Sequence, residues 1–176
     1  MKNKKWIVLT ALVLALALPV AGLAAESFGA GNLVEGKTYT VEEMLTYAIQ
    51  DEYLARAEYE AIIQKFGMDR PFSNIMQAEV THAELIMPLL TKYGVALPED
   101  TSSQHVALPG TLDEIYQIGI TAEINNIGMY DTFLKQDDLP DDVRDLFERL
   151  KRASENHLRA FQRNADRQGE GRRRGK

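Results

Sequence analysis

The residues best placed for chemistry are Glu79 and His82, which lie three apart in Glu79-Val80-Thr81-His82. On an α-helix, residues three apart lie on one side about a turn from each other, so the carboxylate and the imidazole point the same way. The same side of the helix also carries apolar residues, so it should face a core; these are Phe72, Ile75, Met76, Ile86, Leu90 and Tyr93. Two such buried polar groups need a partner, and a metal ion suits both.

Three further helical segments each carry a polar interruption in the middle of an apolar face. Glu52 interrupts the first helix, Glu123 the third and His157 the fourth. Together with Glu79 and His82, they give three carboxylates and two imidazoles, a set of ligands that suits iron or manganese. In such a centre the ions perform the chemistry, with oxygen or peroxide as substrate. We therefore predict a metal site formed by these five residues, with no catalytic residue beyond the ligands.

Four helices must position these residues. Their predicted ranges are about Val41 to Phe66, Pro71 to Tyr93, the Thr111 capping box to about Lys135, and Pro140 onwards. Short links within each pair of helices predict antiparallel neighbours, whereas residues 94–110 form a long connection. No segment shows the sustained alternation of a strand. The pattern predicts an all-α, ferritin-like four-helix bundle over residues 40–164, with one long crossover between helices 2 and 3.

These motifs resemble those of a known family. Glu52, Glu79-x-x-His82, Glu123 and His157 are similar to the ligand pattern of ferritin-like di-iron carboxylate proteins such as the rubrerythrins. A closer resemblance, over roughly residues 41–161, is to an exported ferritin-like group that is a domain of unknown function. The segments that carry this closer resemblance are Glu52-Tyr53-Leu54-Ala55-Arg56, Phe72-Ser73-Asn74-Ile75 and Ser154-Glu155-Asn156-His157-Leu158-Arg159-Ala160-Phe161. The resemblance implies a di-iron centre, with manganese as an alternative, and an oxidoreductase of ferroxidase or peroxidase type.

Ser154 departs from the rubrerythrin-type pattern, which would place a second Glu-x-x-His here with Glu at this position. Glu155 points about 100° away on a helix and is a poor substitute. Three alternatives stay open: two ions with a water in the vacant position, one ion bound well and one weakly, or a single ion. Tyr59 and Tyr130 lie one to two turns from Glu52 and Glu123 on the same helix faces. They either donate hydrogen bonds to the ligands or carry electrons, or they are core aromatics whose hydroxyl has a partner.

Taken singly, the same residues have simpler explanations. Glu52 can pair with Arg56 or Arg159, and His157 can be a core histidine with satisfied hydrogen bonds. His105 lies in the proline-containing connection and is predicted to be an exposed loop residue. The alternative function is a non-catalytic helical module that carries or senses a metal, or binds a partner through a face of the bundle. A metal-free scaffold is a third interpretation.

The two ends of the chain differ from its middle. Residues 1–25 combine basic residues, an apolar run and small residues at their end, the pattern of a signal peptide, with an uncleaved anchor as the alternative. Either interpretation predicts export to the periplasm, the cell envelope or the medium. We expect residues 26–39 to be an N-terminal extension. We expect residues 165–176 to be a basic disordered tail, either simply solvated or in contact with an anionic envelope surface.

Composition excludes several classes of protein. The formal net charge of −6 argues against general binding of nucleic acid. The absence of Cys excludes disulfides, iron–sulfur clusters, thiolate zinc sites and a rubredoxin-like internal electron relay. The electron donor is therefore unknown, the predicted small-molecule partner is oxygen or peroxide, and a homodimer follows only from analogy with the fold.

Overall fold

Four α-helices form most of the structure. The computed structural model describes residues 27–111 and 114–174, without the side chains of 171–174. Its helices are α1 (Val41–Phe66), α2 (Phe72–Lys92), α3 (Ile115–Leu134) and α4 (Asp141–Arg174). No strand forms within the described ranges, so the predicted all-α class is confirmed. The predicted signal segment, residues 1–25, lies outside these ranges.

Local sequence signals set both ends of α1. The Thr40 hydroxyl accepts a hydrogen bond from the Glu43 N–H at 3.1 Å, and the Glu43 carboxylate accepts one from the Thr40 N–H at 2.9 Å. This capping box satisfies two N–H groups that the start of a helix leaves unpaired. Gly67 ends the helix with a φ of 65°, a left-handed conformation that glycine adopts without steric cost. The predicted limits of α1 are therefore confirmed.

The helices pack as two antiparallel pairs, α1 with α2 and α3 with α4, and contacts of α1 with α3 and of α2 with α4 join the pairs. Apolar side chains fill the core in two clusters. The first apolar cluster includes Leu45, Ile49, Ile86, Leu90, Phe133 and Phe147. The second apolar cluster includes Tyr59, Ile62, Phe72, Ile115, Tyr116 and Phe161. The predicted metal ligands lie where the two clusters meet, so burial of apolar surface on both sides holds a polar layer at mid-height.

The crossover and the N-terminal segment lie against the bundle. A 3₁₀ helix at Gly29–Asn32 contacts α1 and α3, and a second at Ser102–Gln104 contacts α1. The Asp51 carboxylate accepts a hydrogen bond at 2.8 Å from the backbone of the first 3₁₀ helix. The Phe28 ring stacks on His105 with the ring centroids 4.4 Å apart. Phe28 and Gly29 of the N-terminal extension are thus buried, whereas residues 34–38 are exposed. His105 is half-buried with an aromatic partner, so the prediction of an exposed loop residue is wrong.

Helix α4 is longer than predicted. We expected a disordered tail from residue 165, but the helix continues to Arg174. Ala165 still packs against the second apolar cluster. The Arg, Gln and Glu residues that follow are good helix formers and no proline interrupts them, so the helix continues through Gly169 and Gly171 although each glycine costs about 1 kcal/mol relative to alanine. None of the helices in the described ranges is both long and apolar enough to cross a membrane.

Candidate metal centre

The bundle brings all five predicted ligands into one buried layer. α1 supplies Glu52, α2 supplies Glu79 and His82, α3 supplies Glu123, and α4 supplies His157. The three carboxylate residues are at most 2% exposed. They form two groups that share Glu79: Glu52 and His82 complete one, and Glu123 and His157 complete the other. Within each group, one potential ligand atom of every residue lies within 4.8 Å of the others.

Glu79 connects the two groups through its two oxygens. Its Oε2 lies 2.7 Å from Nδ1 of His82, and its Oε1 lies 3.1 Å from Nδ1 of His157. The outer carboxylates contact the same ring nitrogens, since Glu52 Oε2 lies 3.1 Å from the His82 nitrogen and Glu123 Oε1 lies 3.5 Å from the His157 nitrogen. The two imidazole rings stack with centroids 5.6 Å apart. Nδ1 of each histidine therefore lies between two carboxylates.

Two tyrosines connect the helix pairs through these outer carboxylates. The Tyr130 hydroxyl on α3 donates to Oε1 of Glu52 on α1 at 2.7 Å. The Tyr59 hydroxyl on α1 donates to Oε1 of Glu123 on α3 at 2.8 Å. On both helices the tyrosine follows the glutamate by seven residues, which is about two turns and the same face. The hydroxyl partners predicted for these tyrosines are thus the outer carboxylates of the site.

The carboxylates make this layer favourable for positive charge. Burial lowers the pKa of His82, but the contacts with Glu52 and Glu79 outweigh it and raise the pKa to about 10. Burial likewise lowers the pKa of His157, while Glu123 and Glu79 raise it to about 9. Without a metal, both imidazoles are therefore cationic at neutral pH, with both ring nitrogens protonated, and they partly neutralise the carboxylates around them.

The carboxylates themselves differ in their preferred charge. Burial and repulsion from Glu79 raise the pKa of Glu52 to about 7. Burial also acts to raise the pKa of Glu79, but the contacts with His157 and His82 outweigh it and lower the pKa below its usual value. Glu79 is therefore the carboxylate that stays ionised between the two cationic rings, and it is the central anion of the layer.

The contacts of this layer are incomplete as a hydrogen-bond network. Glu79 Oε1 and His157 Nδ1 are both buried and, among the described residues, neither makes a hydrogen bond with acceptable geometry. Buried polar atoms are rarely left unpaired in this way. The simpler explanation of Glu52 as the partner of an arginine is wrong, because Arg56 pairs with Asp100 and Arg159 bonds to Asn156.

A cavity of about 660 Å³ reaches this layer from the side covered by the crossover and the N-terminal segment. Glu123 forms part of its wall, together with Asp51, Glu58 and Asn126, three polar residues that the sequence analysis missed. Asn126 follows Glu123 by one turn and is 3% exposed, so a polar residue one turn from a ligand was the available signal. Neither Asp51 nor Glu58 had such a signal, because the cavity is formed by segments distant in sequence.

Fold and site together define a four-helix bundle protein whose core carries clustered Glu and His side chains able to bind metal. Residues 41–174 match the family described as an uncharacterized protein domain, DUF2202, and the chain belongs to this family.

One relative and one solved structure are similar to this chain. The chain is 28% identical over 127 residues to uncharacterized protein MJ0754 of Methanocaldococcus jannaschii, covering 64% of this chain and 68% of that protein. The crystal structure of hypothetical protein MJ0754 from Methanococcus jannaschii is similar with a TM-score of 0.66 and 25% identity, covering 78% of this chain and 86% of that one. Neither name states an activity, so the function is argued from the site.

Proposed function

We propose that this chain is an exported ferritin-like metalloprotein that holds one or two iron or manganese ions in the bundle core and reacts with oxygen or peroxide. The proposed ligands are Glu52, Glu79, His82, Glu123 and His157. Export rests on the composition of residues 1–25, which combine a basic start with an apolar run.

The observation that carries the proposal is that oxygens of two different carboxylates face one ring nitrogen, Nδ1, of each histidine. Nδ1 of His82 faces oxygens of Glu52 and Glu79 at 3.1 and 2.7 Å, and one N–H cannot donate at full strength to both. Around His157 the fit for a proton is worse, because its Nδ1 and the facing Glu79 Oε1 lack a bond of acceptable geometry. A cation bound by imidazole and carboxylate would satisfy all of these atoms at once.

The chain's own residues prepare the site for a redox ion. An iron or manganese pair would supply the electrons that reduce oxygen or peroxide. Tyr130 donates to Oε1 of Glu52, which leaves Oε2 facing His82, whereas Tyr59 donates to the same Glu123 Oε1 that faces His157. Each tyrosine thereby holds an outer carboxylate in place beside a histidine. Two apolar clusters exclude water above and below the layer, so charge interactions within it are strong.

Metal content tests the proposal. Protein purified without chelator and then reconstituted with Fe²⁺ or Mn²⁺ should retain at least one ion per chain. Glu79→Gln should weaken binding by tenfold or more, because Glu79 contacts both histidines. Matched controls are Glu84→Gln, on the exposed side of the same helix, and His105→Ala, in the crossover. Fewer than about half an ion per chain, or equal losses in Glu79→Gln and the controls, contradicts the proposal.

A second function, a carrier or sensor of metal without turnover, is favoured by Ser154. This residue is 2% exposed and one turn before His157, where a fourth carboxylate would complete the symmetry of the site. Loss of peroxide in the presence of protein loaded with reduced iron separates the two functions. A rate above that of the same amount of free Fe²⁺ supports turnover, and a rate at or below it supports the carrier.

A further inference from the structure

The outer face of α4 carries a row of arginines. Spacings of three and four residues keep side chains on one side of a helix. The six exposed residues that share this side between positions 149 and 167 are Arg149, Arg152, Asn156, Arg159, Arg163 and Arg167. These six residues are the arginine stripe. Because each residue advances a helix by about 1.5 Å, the stripe is about 27 Å long.

The arginine stripe faces away from the proposed metal centre. Ser154 and Phe161 of α4 are buried in the bundle, and His157 contacts Glu79 and Glu123 from the same side of the helix. A helix turns about 100° per residue, so these inward positions lie about 150° around the helix from the stripe. A partner bound to the stripe therefore leaves the layer of ligands untouched.

The protein itself neutralises little of this positive charge. Among the described residues, the only arginine of the stripe that pairs with a carboxylate is Arg152, which lies 3.5 Å from Glu148 with both side chains at least half exposed. Such an exposed pair contributes little energy and is easily exchanged for another partner. Arg159 donates to the uncharged side chain of Asn156. The guanidinium groups of the stripe are thus available to another molecule.

Charge is divided unequally along the chain. Residues 149–176 contain ten of the 20 Lys and Arg residues but only three of the 26 Asp and Glu residues, which gives this segment a net charge of +7. Residues 1–148 have a net charge of −13. An anionic surface therefore attracts the segment that includes the stripe and repels the rest of the chain. This division orients the molecule with the outer face of α4 toward such a surface.

The side chains of the stripe indicate which anionic group they bind. Arginine recognises phosphate through paired N–H groups, and all the cationic positions of the stripe are arginine. The stripe is straight and has no apolar side chain, so it suits contact with headgroups and offers nothing to insert into hydrocarbon.

We propose that the arginine stripe binds the phosphate headgroups of an anionic phospholipid membrane, with α4 lying along the surface. The choice of a membrane over nucleic acid rests on the proposed export of the chain. The binding itself does not depend on the metal centre, so failure of one proposal leaves the other standing.

Sedimentation of the full chain with vesicles tests this proposal. The vesicles are phosphatidylcholine alone or phosphatidylcholine with about 30% phosphatidylglycerol. Any binding through residues 1–25 is common to all variants, and the neutral vesicles measure it. Wild type should bind the anionic vesicles more tightly than the neutral ones, and this preference should shrink as the salt concentration rises from about 0.05 M to about 0.3 M.

Variants of the stripe should lose this preference. Each basic residue near an anionic membrane contributes about fivefold to the affinity, so Arg163→Gln should weaken binding to the anionic vesicles about fivefold. The triple variant Arg152→Gln/Arg159→Gln/Arg163→Gln should weaken it about 100-fold. Its thermal unfolding and metal content should match those of wild type, because the three side chains are exposed and face away from the centre.

The matched control removes the same charge elsewhere. Lys65→Gln/Arg70→Gln/Lys135→Gln changes three exposed residues outside α4 and should weaken binding to the anionic vesicles by less than about threefold. Equal affinities of the two triple variants, or equal binding of wild type to both kinds of vesicle, would overturn the proposal. If the stripe variant instead abolishes a wild-type dimer that forms without lipid, and wild type shows no preference for anionic vesicles, the stripe binds a second copy and the membrane proposal is wrong.

Discussion

The hydrogen bond from Tyr130 to Glu52 gives the sharpest test of the polar layer. The Tyr130 side chain is fully buried, Glu52 is 1% exposed, and the hydroxyl lies 2.7 Å from Oε1. Tyr130→Phe removes only the hydroxyl and leaves a carboxylate oxygen unpaired in a dry core. A hydrogen bond to a charged group contributes about 1.5–3 kcal/mol, so we expect a loss of about 2 kcal/mol in the free energy of unfolding.

The measurement is denaturant unfolding of metal-free protein at about pH 8, above the Glu52 pKa of about 7, where the carboxylate is ionised. For a domain of this size the same loss lowers the melting temperature by roughly 4–8 °C. Tyr59→Phe removes the equivalent bond to Glu123 and should cost a similar amount.

Tyr53→Phe is the matched control, because Tyr53 is a buried tyrosine of α1 that is 7% exposed and whose hydroxyl bonds to no carboxylate of the layer. It should change stability by less than about 0.5 kcal/mol. A similarly small effect of Tyr130→Phe, or an equal loss in Tyr53→Phe, would refute the reasoning. Addition of Mn²⁺ should reduce the loss in Tyr130→Phe, since an ion bound at Glu52 compensates the unpaired oxygen.

Two further predictions concern packing and pH. A Cβ at Gly119 would lie 2.8 Å from the Phe161 ring, so Gly119→Ala should destabilise the bundle by about 1–3 kcal/mol in thermal unfolding, whereas Gly128→Ala, with no atom within 4 Å, should not destabilise it. Burial, with repulsion from Asp51 and Glu123, raises the pKa of Glu58 from 4.5 to about 7, so folding favours the neutral carboxyl. Its stabilising contribution is complete below pH 4.5 and is lost as the pH rises through about 7. Metal-free Glu58→Gln should therefore lose less stability than wild type between about pH 5 and about pH 8 in urea unfolding; equal losses would show that Glu58 titrates normally.

The parts of the fold that could be predicted are those written in local sequence. Both ends of α1 follow from Thr40, Glu43 and Gly67, whose contacts lie within one turn of the helix end. The start of α3 is less local. Thr111 does donate to the Glu114 carboxylate, but the helix begins at Ile115, three residues later than the predicted capping box requires. The predicted end of α4 was also wrong. A polar, basic composition indicates that a segment is not buried in a core, but it does not indicate whether that segment is helical.

The five proposed ligands could be found because each interrupts an apolar face at the same depth. Their neighbours could not, because they depend on contacts between distant segments. Asp51 accepts a hydrogen bond from the backbone N–H of Ala30, which lies 21 residues away in the N-terminal segment. Glu58 and Asn126 meet only across a cavity that the crossover helps to close. Periodicity indicates which side of a helix is inward, and it carries no information about which loop covers that side.

The layer combines a symmetric outer part with an asymmetric centre. Glu52 with Tyr130 mirrors Glu123 with Tyr59, so the two outer carboxylates have equivalent support from the opposite helix pair. The central carboxylate has no such counterpart, because the position on α4 that corresponds to Glu79 is Ser154. Both histidines therefore depend on one residue. Loss of an outer glutamate removes one contact from one histidine, whereas loss of Glu79 removes a contact from both, so Glu79 is the residue on which the layer depends most.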